Sequence, residues 1–199
     1  RGCDYGGDKG IFGFGSRYGP LQNMTNLISN TGVVASDTTG VGTAKAYLGA
    51  CEYGEDKGIF GFGTTGTRVA TTNLVSNTGV VASDTAAVAG ATARQGLKAC
   101  AYGGDKGIFG YGNTGSPSSL TNLVSNTGVV ASDTAGVGDA MYDTAATQYG
   151  GNKGIFGYGN DSSAPYISKT NLVSNSGIVA SDTTGVGTVR EGLAACSFN

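Results

Sequence analysis

The chain has 199 residues and a formal net charge of only −2, from 12 Lys and Arg against 14 Asp and Glu. So even a balance, with no basic tract, leaves no electrostatic footprint for nucleic acid or an anionic lipid surface, and no apolar run is long enough to be inserted in a membrane. The 37 glycines come with 3 prolines and no Gly-X-Y period, which excludes collagen, while regularly spaced Val, Ile, Phe and Tyr argue against a disordered chain.

From the N-terminus, the first predicted element is the short extended run RGCDYG, followed by the strand in DKGIFGFG (8–15). The octapeptide returns at 56–63, 105–112 and 152–159, and its lysine falls at Lys9, Lys57, Lys106 and Lys153, spacings of 48, 49 and 47. A variable loop comes next, then TNLISNTGVVASDTTGVGTA (25–44), with close copies beginning at Thr72, Thr121 and Thr170. Two apolar runs around Asn-Thr-Gly predict a hairpin, its turn built from residues that tolerate positive φ. The extended run YLGACEYG (47–54), repeated as QGLKACAYG (95–103) and less faithfully as DTAATQYGG (143–151), leads into the next octapeptide. No segment keeps a 3.6-residue apolar period, so no substantial helix is expected.

The chain ends on EGLAACSFN (191–199), whose AACSFN matches RGCDYG at the start; Cys3 and Cys196 are 193 residues apart, four repeat lengths. The reading is a single repeat domain over 1–199, with units at 3–50, 51–99, 100–146 and 147–195, and 196–199 overlapping the start of the next. A chain that opens on Arg1 inside a unit reads as a processed product or a piece of a longer one. About four short strands per unit of about 48 residues predict an all-β fold, a β-propeller of four blades. A β-solenoid, or part of a larger ring, is the competing architecture.

The order ARQGLKACAYGGDKGIFGYG (93–112), a variable loop, then TNLVSNTGVVASDT (121–134) resembles the kelch repeat, and the likeness spans essentially the whole chain. By that resemblance Lys45, Arg94 and Arg190 take the basic position, which Met141 fills in repeat three, and Ile11-Phe12, Ile59-Phe60, Ile108-Phe109 and Ile155-Phe156 take the inner strand. The chain departs from the family in having no Trp and in carrying Gly-aromatic-Gly in place of Gly-Gly. Near-identical tandem units of this kind are similar to kelch-like repeats of phage tail fibres and marine microbial proteins. The resemblance implies surface recognition and an extracellular or virion-surface location.

Recurring residues are first suspected of holding units together. Cys3, Cys51, Cys100 and Cys196 are one repeat position, filled by Thr147 in the fourth unit; with no CxxC and no His, packing is favoured over a metal or redox role. Asp8, Asp56 and Asp105 sit in Gly-rich turns where calcium is conceivable, but an Asx side chain satisfying its turn is the simpler reading, and no metal or cofactor is called for. Asn23 and Asn160 begin N-glycan sequons.

Variation collects in the loops 16–24, 64–71, 113–120 and 160–169, which a propeller would bring to one rim. Their Arg17, Tyr18, Gln22, Arg68, Tyr166 and Lys169 are the candidate ligand-binding residues, since aromatic faces stack on sugar rings and Arg offers a planar donor fork. Repeat three has a second irregularity, with Asp139, Tyr142 and Asp143 in GDAMYDTAATQ (138–148). Equal sugar sites on every unit would instead use Asn30, Asn77, Asn126 and Asn175. With no His, paired carboxylates or nucleophile motif, an enzyme is the weakest reading. The expectation is a non-enzymatic, lectin-like adhesion module whose partner is a glycan or cell-surface receptor. The alternative is a structural protein whose overlapping ends exchange strands into a homo-oligomer or filament.

Overall fold

The computed structural model describes residues 1–86 and 89–197. Ala87 and Val88, in the second unit's loop, and Phe198 and Asn199, at the end of the overlapping segment, lie outside the described residues. The fold is all-β, and no helix occurs among the described residues. Each unit forms one small antiparallel sheet. The first holds β1 (Gly2–Tyr5), β2 (Lys9–Ser16) and β3 (Leu21–Ile28), and the second β4 (Gly49–Tyr53), β5 (Lys57–Gly61) and β6 (Thr72–Val75). The third holds β7 (Lys98–Tyr102), β8 (Lys106–Gly110) and β9 (Thr121–Val124). In the fourth, β12 (Lys153–Asp161) is flanked by β10 (Met141–Tyr142) and β11 (Ala145–Tyr149) on one edge and β13 (Ile167–Val173) on the other.

The octapeptide strand is the middle of every sheet, not the inner edge that the sequence suggested. One edge of each sheet is formed by β1, β4, β7 and β11, the first three carrying a cysteine and the last Thr147 at that position, and these strands run beside one another in that order. Small residues recur at one position of these strands and of the C-terminal segment: Gly2, Ala50, Ala99, Ala146 and Ala195 together border both cavities of the channel beside them. The hairpin after β6 forms as expected, but its return arm is held by isolated bridges, Val75 to Val81 and Thr72 to Thr85, so units one to three carry three regular strands and a broken fourth.

A three-stranded sheet this small cannot bury a core of its own. The three hydrophobic cores accordingly lie between units, the first joining Tyr5 and Ile11 to Leu48, Phe60, Val75 and Val81. The second and third repeat that arrangement one unit further on. In each, a phenyl ring seats on a glycine of the preceding sheet: a Cβ on Gly61 would lie 2.7 Å from Cζ of Phe109, and one on Gly110 2.7 Å from Cζ of Phe156. The neighbouring aromatic of the glycine's strand meets that ring edge-on, at 5.2 Å for Phe14–Phe60, 5.1 Å for Phe62–Phe109 and 5.2 Å for Tyr111–Phe156. To reach it, Phe14, Phe62 and Tyr111 adopt φ of 60°, 62° and 63°. A left-handed non-glycine costs about 1–3 kcal/mol, whereas burying an aromatic side chain of about 200 Å² at about 25 cal/mol/Å² returns about 5 kcal/mol, so packing wins.

Cys3, Cys51 and Cys100 pack as predicted, whereas Cys196 is exposed. A Cβ on Gly58, Gly107 or Gly154 would meet the sulfur of Cys3, Cys51 or Cys100 at 2.6 Å in each case. Burial pushes the thiols of Cys3 and Cys100 up to about 12, and Cys51 likewise upward, which makes them inert.

A polar layer accompanies each core. Arg94, fully buried, lies 4.4 Å above the Phe62 ring and donates to the Tyr111 carbonyl (2.8 Å) and to Asn122 Oδ1 (2.6 Å). Asn122 in turn donates to Asp133, 3.7 Å from the guanidinium. Lys45 takes the same place one unit earlier but reaches only Thr71, with Asp84 3.9 Å away, so the buried Oδ1 of Asn73 has no partner. The Met141 side chain has no donor, and Asn171 Oδ1 is likewise unpartnered. Lys45→Arg should extend a donor to Asn73 as Arg94 does to Asn122. Because an unsatisfied buried acceptor costs about 1–3 kcal/mol, the variant is expected to gain about 1 kcal/mol or more in urea denaturation. An unchanged or lowered midpoint would refute the pairing.

Candidate functional site

The segments that carry the chain from one sheet to the next have the repeat pattern Ala46-Tyr47-Leu48, Gln95-Gly96-Leu97, Tyr142-Asp143-Thr144 and Glu191-Gly192-Leu193. The middle residue is always left-handed, with φ of 54° at Tyr47, 66° at Gly96, 49° at Asp143 and 70° at Gly192. That conformation lets the segments bond to one another: Gly96 N–H donates to the Tyr47 carbonyl (2.8 Å), and Asp143 N–H to that of Gly96 (2.8 Å). Glycine is the natural occupant, and two units use it. The other two place a tyrosine and an aspartate there, against local preference, and both face one cavity.

The cavity holds about 340 Å³ and is bordered by Tyr47, Arg68, Gln95, Gly96, Asn113, Tyr142 and Asp143. Arg68 comes from the loop after β5 and is fixed by the third unit's loop: Nε donates to the Asn113 carbonyl (3.0 Å) and Nη2 to Asn113 Oδ1 (2.9 Å). Tyr47 is 57 % exposed, so its ring is offered to solvent rather than to a core. Burial raises the Asp143 carboxyl above its usual range, with Glu191 adding to the effect, while Lys98 and Arg1 act against it. Burial, helped by Arg1 and opposed by Asp143, lowers Lys98 to about 8. Two phenol rings, a fixed guanidinium, two amides and a carboxylate make a surface for a hydroxyl-rich ligand.

The six loop residues read from the sequence do not form one site. Arg68 alone reaches this cavity. Arg17 lies 6.0 Å from the Tyr18 ring, which is 97 % exposed, and Gln22 Nε2 donates to the nearby Pro20 carbonyl (3.1 Å). Tyr166 and Lys169 border a separate pocket of about 270 Å³ with Asp182, where Lys169 pairs with Asp139 and with Asp161 (3.5 Å). Of the irregular residues in repeat three, Tyr142 and Asp143 do line the cavity. Tyr47 and Gln95 were missed. The signal was present in the alignment of the four connecting segments, two of which replace glycine.

Other candidates resolve as scaffold. Asp8 binds Lys9 (2.9 Å) and Asn30 (2.9 Å), and Asp56 and Asp105 do the same with Lys57 and Asn77, and Lys106 and Asn126. Those hydrogen bonds hold the three carboxyls below the usual range and occupy three of the four recurring asparagines. No group of three or more His, Cys, Asp or Glu is placed to hold a metal ion among the described residues. The amide nitrogen of Asn23 donates to the Gly40 and Gly42 carbonyls (both 2.9 Å), and Asn160 is buried against Glu191, so both sequon side chains are engaged.

No family model matches the chain, and no curated protein matches it. Two outcomes test the local physics. Tyr47→Gly should raise stability by about 1 kcal/mol, because it relieves a left-handed tyrosine whose ring buries little, as read by thermal melting. The second concerns the channel, where burial and then Asp4 and Asp56 raise the Glu52 carboxyl from 4.5 to about 7. The folded chain therefore binds the extra proton between those values, and stability should fall as pH rises from about 4.5 to about 7. Glu52→Gln should flatten that slope, and an unaltered slope would mean that the carboxyl is not perturbed.

Proposed function

We propose that the protein is a non-enzymatic recognition module for a cell-surface glycan, its four sheets the blades of a propeller-like ring and the Arg68 cavity its binding site. The observation that carries this reading is the pair of left-handed non-glycine residues, Tyr47 and Asp143, at a position glycine fills in the other two units. Strain kept at a solvent-facing cavity is the mark of a residue retained for what it contacts. The chemistry around it supports a sugar: aromatic faces for the ring, and Arg68, Asn113 and Gln95 for hydroxyl groups. The buried thiols, with their raised titration, offer no nucleophile for covalent chemistry. An extracellular or virion-surface location belongs with such a role.

The test is a glycan array probed with the native chain, with Arg68→Ala and with Arg17→Ala/Tyr18→Ala. Loss of a fixed guanidinium contact, about 1.5–3 kcal/mol, should weaken binding about tenfold or more in Arg68→Ala and leave the double variant unaffected. Binding that survives Arg68→Ala but is lost on replacing Tyr166 and Lys169 would move the site to the fourth unit's pocket. No binding by folded protein would remove the glycan reading.

A further inference from the structure

The outer faces of the first and fourth units are the two halves of the interface that joins every inner pair, and each half stands empty. Inside the chain, Val81, Val130 and Val179 are 7 %, 6 % and 8 % exposed, and Phe60, Phe109 and Phe156 are fully buried. Their first-unit counterparts, Val34 and Phe12, are 54 % and 53 % exposed. A Cβ on the hairpin glycine Gly79 would touch Leu27 and Tyr5 of the unit before, and Gly128 and Gly177 repeat this, but Gly32 has nothing within 4 Å. The fourth unit lacks the converse contacts. Leu172 is 41 % exposed, Tyr149 is half-buried where Tyr5, Tyr53 and Tyr102 are buried, and the three atoms nearest a Cβ on Gly157 all belong to Thr170 and Lys169 of its own unit, not to a phenyl ring.

The polar layer is divided the same way. Arg190 lies 4.3 Å above the Tyr158 ring, as Arg94 does over Phe62, but its guanidinium donates only to the Thr188 carbonyl among the described residues. The first unit carries the matching acceptor, Asn26 hydrogen-bonded to Asp37 (2.8 Å), facing solvent. One face therefore presents a cation and apolar sockets, the other a carboxylate and an aromatic knob.

The channel counts the units this interface serves. The small residues that border it are Gly2, Ala50, Ala99, Ala146 and Ala195, one repeat position taken five times. The fifth comes from the segment 194–197, which lines the channel beside the four inner strands. We infer that the two end faces receive one further repeat unit of this same sequence type, with Ala195-Cys196 as its inner strand and a Lys-Gly-Ile-Phe-Gly strand and a Thr-Asn-Leu-Val hairpin as the missing parts. This rests on the ring reading given above and adds the number of its members. A whole second copy fits less well, because the units after its first would meet positions already filled.

The test compares the native chain with one extended after Cys196 by a copy of residues 52–99. The extended chain should remain monomeric in sedimentation and unfold at a higher urea midpoint. In it, Phe12→Ala should lower the midpoint as far as Phe60→Ala does, against less than half of that shift in the native chain. Asp37→Asn and Arg190→Met, surface changes that leave the native midpoint in place, should lower that of the extended chain. Three results would overturn the inference. A grafted unit whose amides exchange freely, with Phe12→Ala still silent, would show that the faces do not accept it. A native monomer as sensitive to Phe12→Ala as to Phe60→Ala would show four units closing on themselves. Native dimers or filaments dispersed by Phe12→Ala would assign the face to a second copy. Glycan binding at the Arg68 cavity, between the second and third units, is read on the same samples, so either reading can fail without the other.

Discussion

A phenyl ring seated on a glycine of the preceding sheet is the contact on which the rest of the molecule depends. The ring of Phe109 lies so close to Gly61 that a Cβ there would sit 2.7 Å from its tip, so the glycine and the phenylalanine of the octapeptide are fixed by each other, one unit apart. Everything else at the junction follows from the depth of that seat. The cysteine sulfur closes on the next unit's glycine, the edge-on aromatic covers the phenyl ring, and the hairpin glycine settles on a leucine and a tyrosine. Because the cores lie between units, stability is a property of neighbours, and an end unit has half of what an inner unit has.

The polar layer depends on the apolar one. Arg94 is desolvated enough to lower its guanidinium to about 10, with Asp133 opposing the shift, and it is tolerable because its donors are spent on a carbonyl and on Asn122. Lys45, lowered to about 8 by burial against the pull of Asp84, is too short for the same acceptor. Met141 avoids the burial of charge altogether and leaves Asn171 without a donor. Three solutions at one repeat position show that the seat of the ring, not the ion pair, decides whether the units associate.

Much of this was legible in the sequence. The period, the octapeptide as a strand, the Asn-Thr-Gly turn and the packing role of Cys51 and Cys100 all follow from spacing and composition, because each is dictated by contacts that recur. The strand order within a sheet was not legible, since a cysteine strand and an Ile-Phe strand are equally good strands. Nor was the scatter of the loop residues. Arg17 and Arg68 occupy equivalent loops, yet only Arg68 finds an acceptor, Asn113, on the neighbouring loop.

The same logic locates the candidate site. In a repeat whose interfaces fix most side chains, variation is free only where the fold demands a backbone conformation and nothing from the side chain. The connecting segments are such a place. Each is left-handed, and its N–H and carbonyl link successive units. Glycine meets that demand at least cost, so Gly96 and Gly192 are what stability alone would select. Tyr47 and Asp143 add nothing to any core and carry strain, and they stand with Arg68 and Tyr142 around a single cavity. Where scaffold contacts are identical from unit to unit, a departure that costs stability at such a point is the one that scaffold packing does not account for.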